Sequence, residues 1–111
     1  MMIPVSRYGR VAVLSPKSEL TGDSADSFVA SSRQLADSGD HNVVVDCSEV
    51  DGLDSAALEA LLELQNRCEE LRGHVKLCCL DATCQKILEL TRLARRFEMF
   101  DDLESAVKSF I

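Results

Sequence analysis

Apolar residues along the chain follow two patterns, short continuous runs and longer stretches in which they recur every three or four positions. Short runs bounded by turn residues are typical of strands, and the longer recurrence is typical of helices packed on one side. The runs predict strands at residues 2–6, 10–15, 43–45, 75–80 and 97–100. The recurrences predict four helices, which begin near residues 23, 55, 82 and 101.

The ends of the first two predicted helices carry residues that commonly cap or stop a helix. Asp23 or Ser24 is predicted as the N-cap of the first helix. The second helix is predicted to begin with Ser55 as its N-cap, to continue to about Arg72 and to stop at Gly73. Ser55 would then accept a hydrogen bond from a free backbone N–H of the first turn.

Strands and helices alternate from residue 43 onward, which favours crossover connections between parallel neighbouring strands. The run at 43–45 contains three valines in succession, as expected for a central strand covered on both faces. We therefore predict the α/β class, with a small mixed, mostly parallel sheet of four to five strands and about four helices. A chain of 111 residues is predicted to form a single domain over residues 1–111.

Composition and charge narrow the range of partners. Hydrophobic residues make up 46% of the chain and charged residues 28%, which is typical of a globular protein with a core. The net charge of −7 disfavours nucleic acid and anionic membrane surfaces as partners, and leaves a basic protein face or a metal ion admissible. The chain shows neither a membrane-spanning run nor a secretion signal, so a cytoplasmic location is expected.

The five cysteines have no paired spacing that is typical of a metal or redox site, and several fall inside strand-like runs. We interpret them as small buried apolar residues, and we predict no metal site and no cofactor. His41 and His74 are predicted where strands begin, away from Ser55, and no glycine-rich phosphate loop is present. The sequence therefore predicts a protein that is not an enzyme.

An acidic link separates the central strand from the second helix. It contains Asp46, Glu49, Asp51 and Asp54 and ends at Ser55. Ligand surfaces of parallel sheets usually lie in such loops, beyond the carboxyl ends of the strands. A phosphate on Ser55 would meet the positive end of the helix dipole, so Ser55 is also a candidate phosphoacceptor. The acids leave open a second interpretation, a receiver-like phosphoacceptor or metal-binding domain.

Three segments carry a resemblance to a known family. These are "SELTGDSA" before the first helix, "GLDSAALEALLEL" after the central strand, and "LCCLDATCQKILELTRLARRFEMFDDLESAV" at the end. Together they resemble the STAS domain of bacterial anti-sigma factor antagonists, over nearly the whole chain. The resemblance implies a non-enzymatic α/β domain that binds an anti-sigma factor, itself a serine kinase. Phosphorylation by that kinase at the start of the second helix would break the complex and end release of the sigma factor.

The sequence departs from the family pattern at three positions, two at the start of the second helix and one before the first helix. The usual phosphate acceptor, the second residue after Asp, corresponds to Ala56, and the usual glycine corresponds to Ala57, so the hydroxyl stands one position earlier at Ser55. The family's Glu-Leu-Asp before the first helix corresponds to Glu19, Leu20 and Thr21.

The resemblance implies a set of residues that bind a protein partner: Glu19, Thr21, Asp23, Asp54, Ser55, Ala56, Ala57 and Leu58. An alternative within the same family is a STAS subunit of a lipid-trafficking ABC transporter, which would dock on the transporter ATPase. In those transporter subunits an Asp-Thr or Asp-Ser pair begins the second helix, and the pair Asp54-Ser55 matches that pattern.

Overall fold

The computed structural model describes residues 3–17 and 22–111, and residues 22–25 by their backbone only. The described strands are β1 (Val5–Tyr8), β2 (Val11–Leu14), β3 (Asn42–Asp46), β4 (His74–Cys78) and β5 (Glu98–Phe100). The described helices are α1 (Gly22–Asp37), α2 (Ser55–Glu70), α3 (Ala82–Leu90) and α4 (Leu103–Lys108), with a 3₁₀ turn at Leu93–Arg96.

The five strands form one sheet in the order β1-β2-β3-β4-β5. β1 and β2 are an antiparallel hairpin, and all later pairings are parallel, as in the pairs Val13–Val44 and Val44–Lys76. The predicted α/β class with a mostly parallel sheet is confirmed. The first strand lies three residues later than predicted at its start, and the predicted Met2 lies outside the described residues.

Alternate residues of the strands pack into two separate apolar cores, one on each face of the sheet. Val43, Val45 and Leu77 point to the face covered by α1, α2 and α3, where Phe28 and Leu61 are fully buried. The opposite residues of the strands form a smaller core with α4: Val11, Val13, Val44, Cys78, Ala106 and Val107. The predicted double coverage of the central strand is confirmed, since 43–45 are all buried.

Both predicted N-cap positions at the start of α1 fall inside the helix, because α1 begins at Gly22. The end of α2 also differs from the prediction. The left-handed residue that terminates it is Arg72, with φ +65°, and the N–H groups of Arg72 and Gly73 donate to the carbonyls of Glu69 and Cys68. These two bonds are the Schellman arrangement that satisfies the last free carbonyls of a helix.

Gly73 is required by a close backbone contact and not by the left-handed conformation that usually selects glycine at the end of a helix. It does not have a positive φ. A Cβ at this position would lie 1.7 Å from the carbonyl oxygen of His41, the residue that precedes β3. Because two backbone segments approach closely at the start of β3 and β4, a side chain at position 73 would force the backbone to shift.

Two buried polar side chains connect the layers. Gln65 of α2 accepts from the N–H of Val75 at 2.6 Å and donates to the carbonyl of Arg96 at 2.7 Å. Lys76 of β4 is 6% exposed, donates to the Ser109 hydroxyl at 2.8 Å, and lies 4.1 Å from the centre of the Phe110 ring. Both side chains have partners for their charge or hydrogen bonds, as buried polar groups require.

Candidate functional site

The acidic link after β3 is held by backbone contacts and by two buried apolar residues. The N–H of Ser48 donates to the Asp46 carboxylate at 3.0 Å, and the N–H of Val50 donates to the Cys47 carbonyl at 3.0 Å. Val50 and Leu53 are buried in the core under α1, α2 and α3. The link is thereby fixed at the edge of the sheet where the parallel strands end, which we call the carboxyl edge.

The N-cap of α2 is Asp54, and the prediction of Ser55 at that position is wrong. The backbone of Asp54 is extended, and its carboxylate accepts from the N–H of Ala57 at 2.9 Å. Ser55 is the first helical residue, and it is exposed. Asp54 and Ser55 are both residue types that cap helices. The extended backbone at residue 54 makes the aspartate the N-cap.

Residues 54–58 form a continuous strip, which we call the α2 start. Ser55 and Ala56 are exposed, Leu58 is half-buried against the core, and Ala57 is fully buried. The strip therefore presents a hydroxyl, a methyl group and part of an isobutyl group to solvent, beside the half-buried carboxylate of Asp54. Ala57 faces inward, so it supports this surface and does not contribute to its exposed part.

The other predicted partner-binding residues precede or open α1. Glu19 and Thr21 lie outside the described residues, and Asp23 is described by its backbone only, within α1. The structure brings Asp54, Ser55, Ala56 and Leu58 to one surface. The contribution of the other three to that surface stays a prediction.

The histidines lie where the sequence predicted them. His41 immediately precedes β3 and His74 begins β4, so both are at the amino ends of the strands. Ser55 begins the helix that leaves the carboxyl end of β3. The length of the strands therefore separates Ser55 from both imidazoles. Neither histidine can serve as a base that activates the Ser55 hydroxyl.

Four of the five cysteines are buried and all five are free thiols, which confirms the interpretation of Cys47, Cys68, Cys78 and Cys84 as buried residues. Burial raises the pKa of the Cys68 thiol to about 11 and that of Cys84 to about 12. Both thiols are therefore neutral near pH 7 and are poor nucleophiles. Cys79 is only half-buried.

The receiver-like alternative is contradicted by the sheet. Receivers have the strand order 2-1-3-4-5, whereas here the strands lie in chain order and the first pair is antiparallel. The acids of the link do not converge on a cation either. In residues 3–17 and 22–111, the group of side chains close enough to share a metal ion contains Asp46 but not Glu49, Asp51 or Asp54.

Asp54→Ala should lower the free energy of unfolding by about 1 kcal/mol, because the N–H of Ala57 loses its acceptor. Ser55→Ala should change it by less than about 0.5 kcal/mol, because the exposed serine side chain is not the cap. Urea unfolding of both variants and of the unmodified chain measures the difference. A larger loss for Ser55→Ala than for Asp54→Ala would contradict the assignment of the cap.

None of the helices in residues 3–17 and 22–111 combines the length and the apolar character needed to cross a lipid bilayer.

Comparison with known proteins gives one family. The family model described as "STAS domain" matches residues 2–106. No curated protein sequence matches the chain.

Three solved structures similar to this chain share the same fold. A candidate anti-sigma factor antagonist from Thermotoga maritima is 21% identical, with a TM-score of 0.89 over 96% of this chain and 92% of its own. An anti-sigma factor antagonist from Mycobacterium paratuberculosis is 19% identical, with a TM-score of 0.87 over 97% and 92%. The phosphorylated form of SpoIIAA, a Bacillus cell fate determinant, is 16% identical, with a TM-score of 0.78 over 98% and 99%.

Proposed function

Because the chain belongs to the STAS domain family, we propose that it is a non-enzymatic protein-interaction module that binds an anti-sigma factor of the serine kinase kind in bacterial transcription regulation. The observation that carries the proposal is the α2 start, an exposed strip of small and apolar residues fixed at the carboxyl edge of the sheet. The similarity in fold to anti-sigma factor antagonists also supports it.

The composition of the α2 start suits a close contact with another protein. Ala56 is exposed and has no side chain beyond Cβ, so a partner backbone or ring can approach the helix closely. Leu58 offers partly exposed apolar area beside it, which association would remove from water. The exposed acids Asp51 and Glu59 flank the strip and would orient a basic partner face during encounter.

Phosphorylation of Ser55 is the regulatory part of the proposal. The hydroxyl is on the exposed first residue of α2, where a kinase can reach it. A phosphate there would carry about −1.5 to −2 charges, which the helix N-terminus tolerates in the free protein. In the complex the same group would have to lose its water at a largely apolar contact, which is costly. Phosphorylation should therefore release the partner without unfolding the domain.

The test is capture of the partner by variants of the α2 start. The chain is expressed with an affinity tag in its own organism under phosphatase inhibition, and co-purifying proteins are quantified by mass spectrometry. Ser55→Asp should reduce recovery of the specific partner at least tenfold, because a carboxylate replaces the hydroxyl at the contact. Ala56→Arg should do the same through size, since an exposed helical position accepts arginine with little loss of stability.

Ser38→Asp is the matched control, because it makes the same substitution at an exposed serine after α1, at the opposite edge of the sheet. It should leave recovery unchanged. Equal recovery with Ser55→Asp, Ala56→Arg and the unmodified chain would contradict binding through the α2 start. The identity of the captured protein separates a serine kinase from a transporter ATPase, and phosphopeptide mass spectrometry shows whether Ser55 carries phosphate.

A further inference from the structure

Three side chains of metal-ligating type meet at the carboxyl edge of the sheet. Asp46 ends β3 and Cys78 ends β4, and the two residues are direct neighbours in the parallel register. Cys79 follows Cys78. The ligand atoms of these three residues all lie within 4.8 Å of one another, and we call them the Asp–Cys–Cys cluster.

The backbone conformation of Cys79 is what creates the cluster. Consecutive residues of a strand point to opposite faces of the sheet, which would keep two adjacent sulfurs apart. Cys79 has φ +62°, a left-handed conformation that residues other than glycine rarely adopt. Its sulfur therefore lies on the same side as that of Cys78, and both residues contact the core beneath α4.

The ligand types and their separation suit one class of cation. Zn²⁺ is bound by cysteine sulfur at about 2.3 Å and by carboxylate oxygen at about 2.0–2.2 Å, in tetrahedral geometry that leaves ligand atoms about 3.6 Å apart. Ligand atoms within 4.8 Å of one another would have to approach by about 1 Å at most to reach that separation. Hard cations such as Mg²⁺ and Ca²⁺ need several oxygen ligands, and the cluster offers a single carboxylate.

One ligand of the cluster is buried in the protein, and the other two are partly open to solvent. Cys78 is fully buried, whereas Asp46 and Cys79 are half-buried and leave a path from solvent. The N–H of Ser48 donates to Oδ1 of Asp46 at 3.0 Å, which orients the carboxylate, and the Cys79 thiol forms a side-chain hydrogen bond with the same carboxyl group. Asp102, the N-cap of α4, adds a further negative charge close to Cys79.

We propose that Asp46, Cys78 and Cys79 bind a thiophilic divalent cation of the Zn²⁺ class, with water in the fourth position. The cluster lies on the α4 face of the sheet, whereas the α2 start belongs to the opposite face. The two proposals therefore rest on different side chains, and either can fail without the other.

The test uses the reduced full-length chain, freed of metal with a chelator. Titration with Co²⁺ should give one equivalent bound, with the intense near-ultraviolet band of cobalt bound to thiolate, and Zn²⁺ should remove the band by competition. Calorimetry with Zn²⁺ should give the same stoichiometry, whereas Mg²⁺ should give no binding heat. Absence of the cobalt band, or more than one equivalent with equal affinity, would overturn the proposal.

Variants identify the ligands without depending on a disruptive core mutation. Cys79→Gly removes a thiol at a left-handed φ that glycine adopts freely, and Asp46→Asn removes the carboxylate charge while keeping an oxygen for Ser48. Each should weaken Zn²⁺ binding at least a hundredfold.

Arg92→Gly, at another left-handed residue with φ +65°, and Cys68→Ala, a thiol of α2 on the other face, should bind Zn²⁺ as the unmodified chain does. Unchanged affinity in Cys79→Gly and Asp46→Asn would overturn the assignment of the ligands.

Discussion

Gly73→Ala should lower the free energy of unfolding by about 3 kcal/mol, one of the two largest losses we expect from a single change. The added methyl group would meet the backbone oxygen and carbon of His41 at 1.7 and 2.5 Å, and a backbone segment cannot rotate away as a side chain can. The starts of β3 and β4 would have to separate, which strains their parallel pairing. Guanidinium unfolding of the variant and the unmodified chain measures the loss.

The neighbouring position supplies the control. Arg72→Gly should raise the free energy of unfolding by about 1 kcal/mol, because residue 72 has φ +65° and glycine removes the steric cost of that conformation. Two adjacent positions in one helix end should thus respond in opposite directions to the presence of a Cβ. A loss below about 1 kcal/mol for Gly73→Ala would show that the two backbone segments can move apart at little cost.

Gln65→Leu should also cost about 3 kcal/mol, although leucine has a similar volume and is apolar. The substitution leaves the N–H of Val75 and the carbonyl of Arg96 without the partners that now lie at 2.6 and 2.7 Å. Each buried group without a partner costs about 1–3 kcal/mol, which the gain from burying leucine only partly offsets. Urea unfolding gives the loss, and hydrogen exchange at Val75 should become faster.

Asn66→Leu is the matched change for Gln65→Leu. Asn66 is the next amide side chain along α2, but it is exposed, and its Oδ1 accepts a hydrogen bond from the guanidinium of Arg96 at the surface. It should cost less than about 1 kcal/mol, since water replaces the lost partner. Equal costs for the two changes would show that burial of the Gln65 amide is not what stabilises this region.

Most elements of the fold could be predicted from the sequence because their apolar residues recur at regular spacing, whereas β1, which is exposed at all four residues, was predicted three residues too early. Residues 43–45 indicated a strand buried on both faces, and the leucines after Ser55 indicated one face of a long helix. Alternation of strands and helices then favoured a mostly parallel sheet. The resemblance placed the candidate surface at the start of the second helix, where the structure has an exposed strip.

The details that the sequence did not reveal depend on backbone angles. Asp54 and Ser55 are equally suitable caps by residue type, and the extended backbone of Asp54 decides between them. Arg72 and Cys79 both adopt left-handed angles that their residue types do not suggest, and the usual preference pointed to Gly73. The Asp–Cys–Cys cluster was missed for the same reason, since alternation in a strand would have separated its sulfurs.

The order of the strands has a consequence for synthesis on the ribosome. Each strand pairs with the one made immediately before it, so the sheet can grow from one side as the chain emerges, without waiting for a distant segment. One face can be covered early, because α1 to α3 are interspersed with the strands. The other face stays uncovered until α4, which follows all five strands along the chain, has left the exit tunnel. We therefore expect nascent chains to expose Val11, Val13 and Val44 until α4 has emerged, and to be targets for chaperones during that interval.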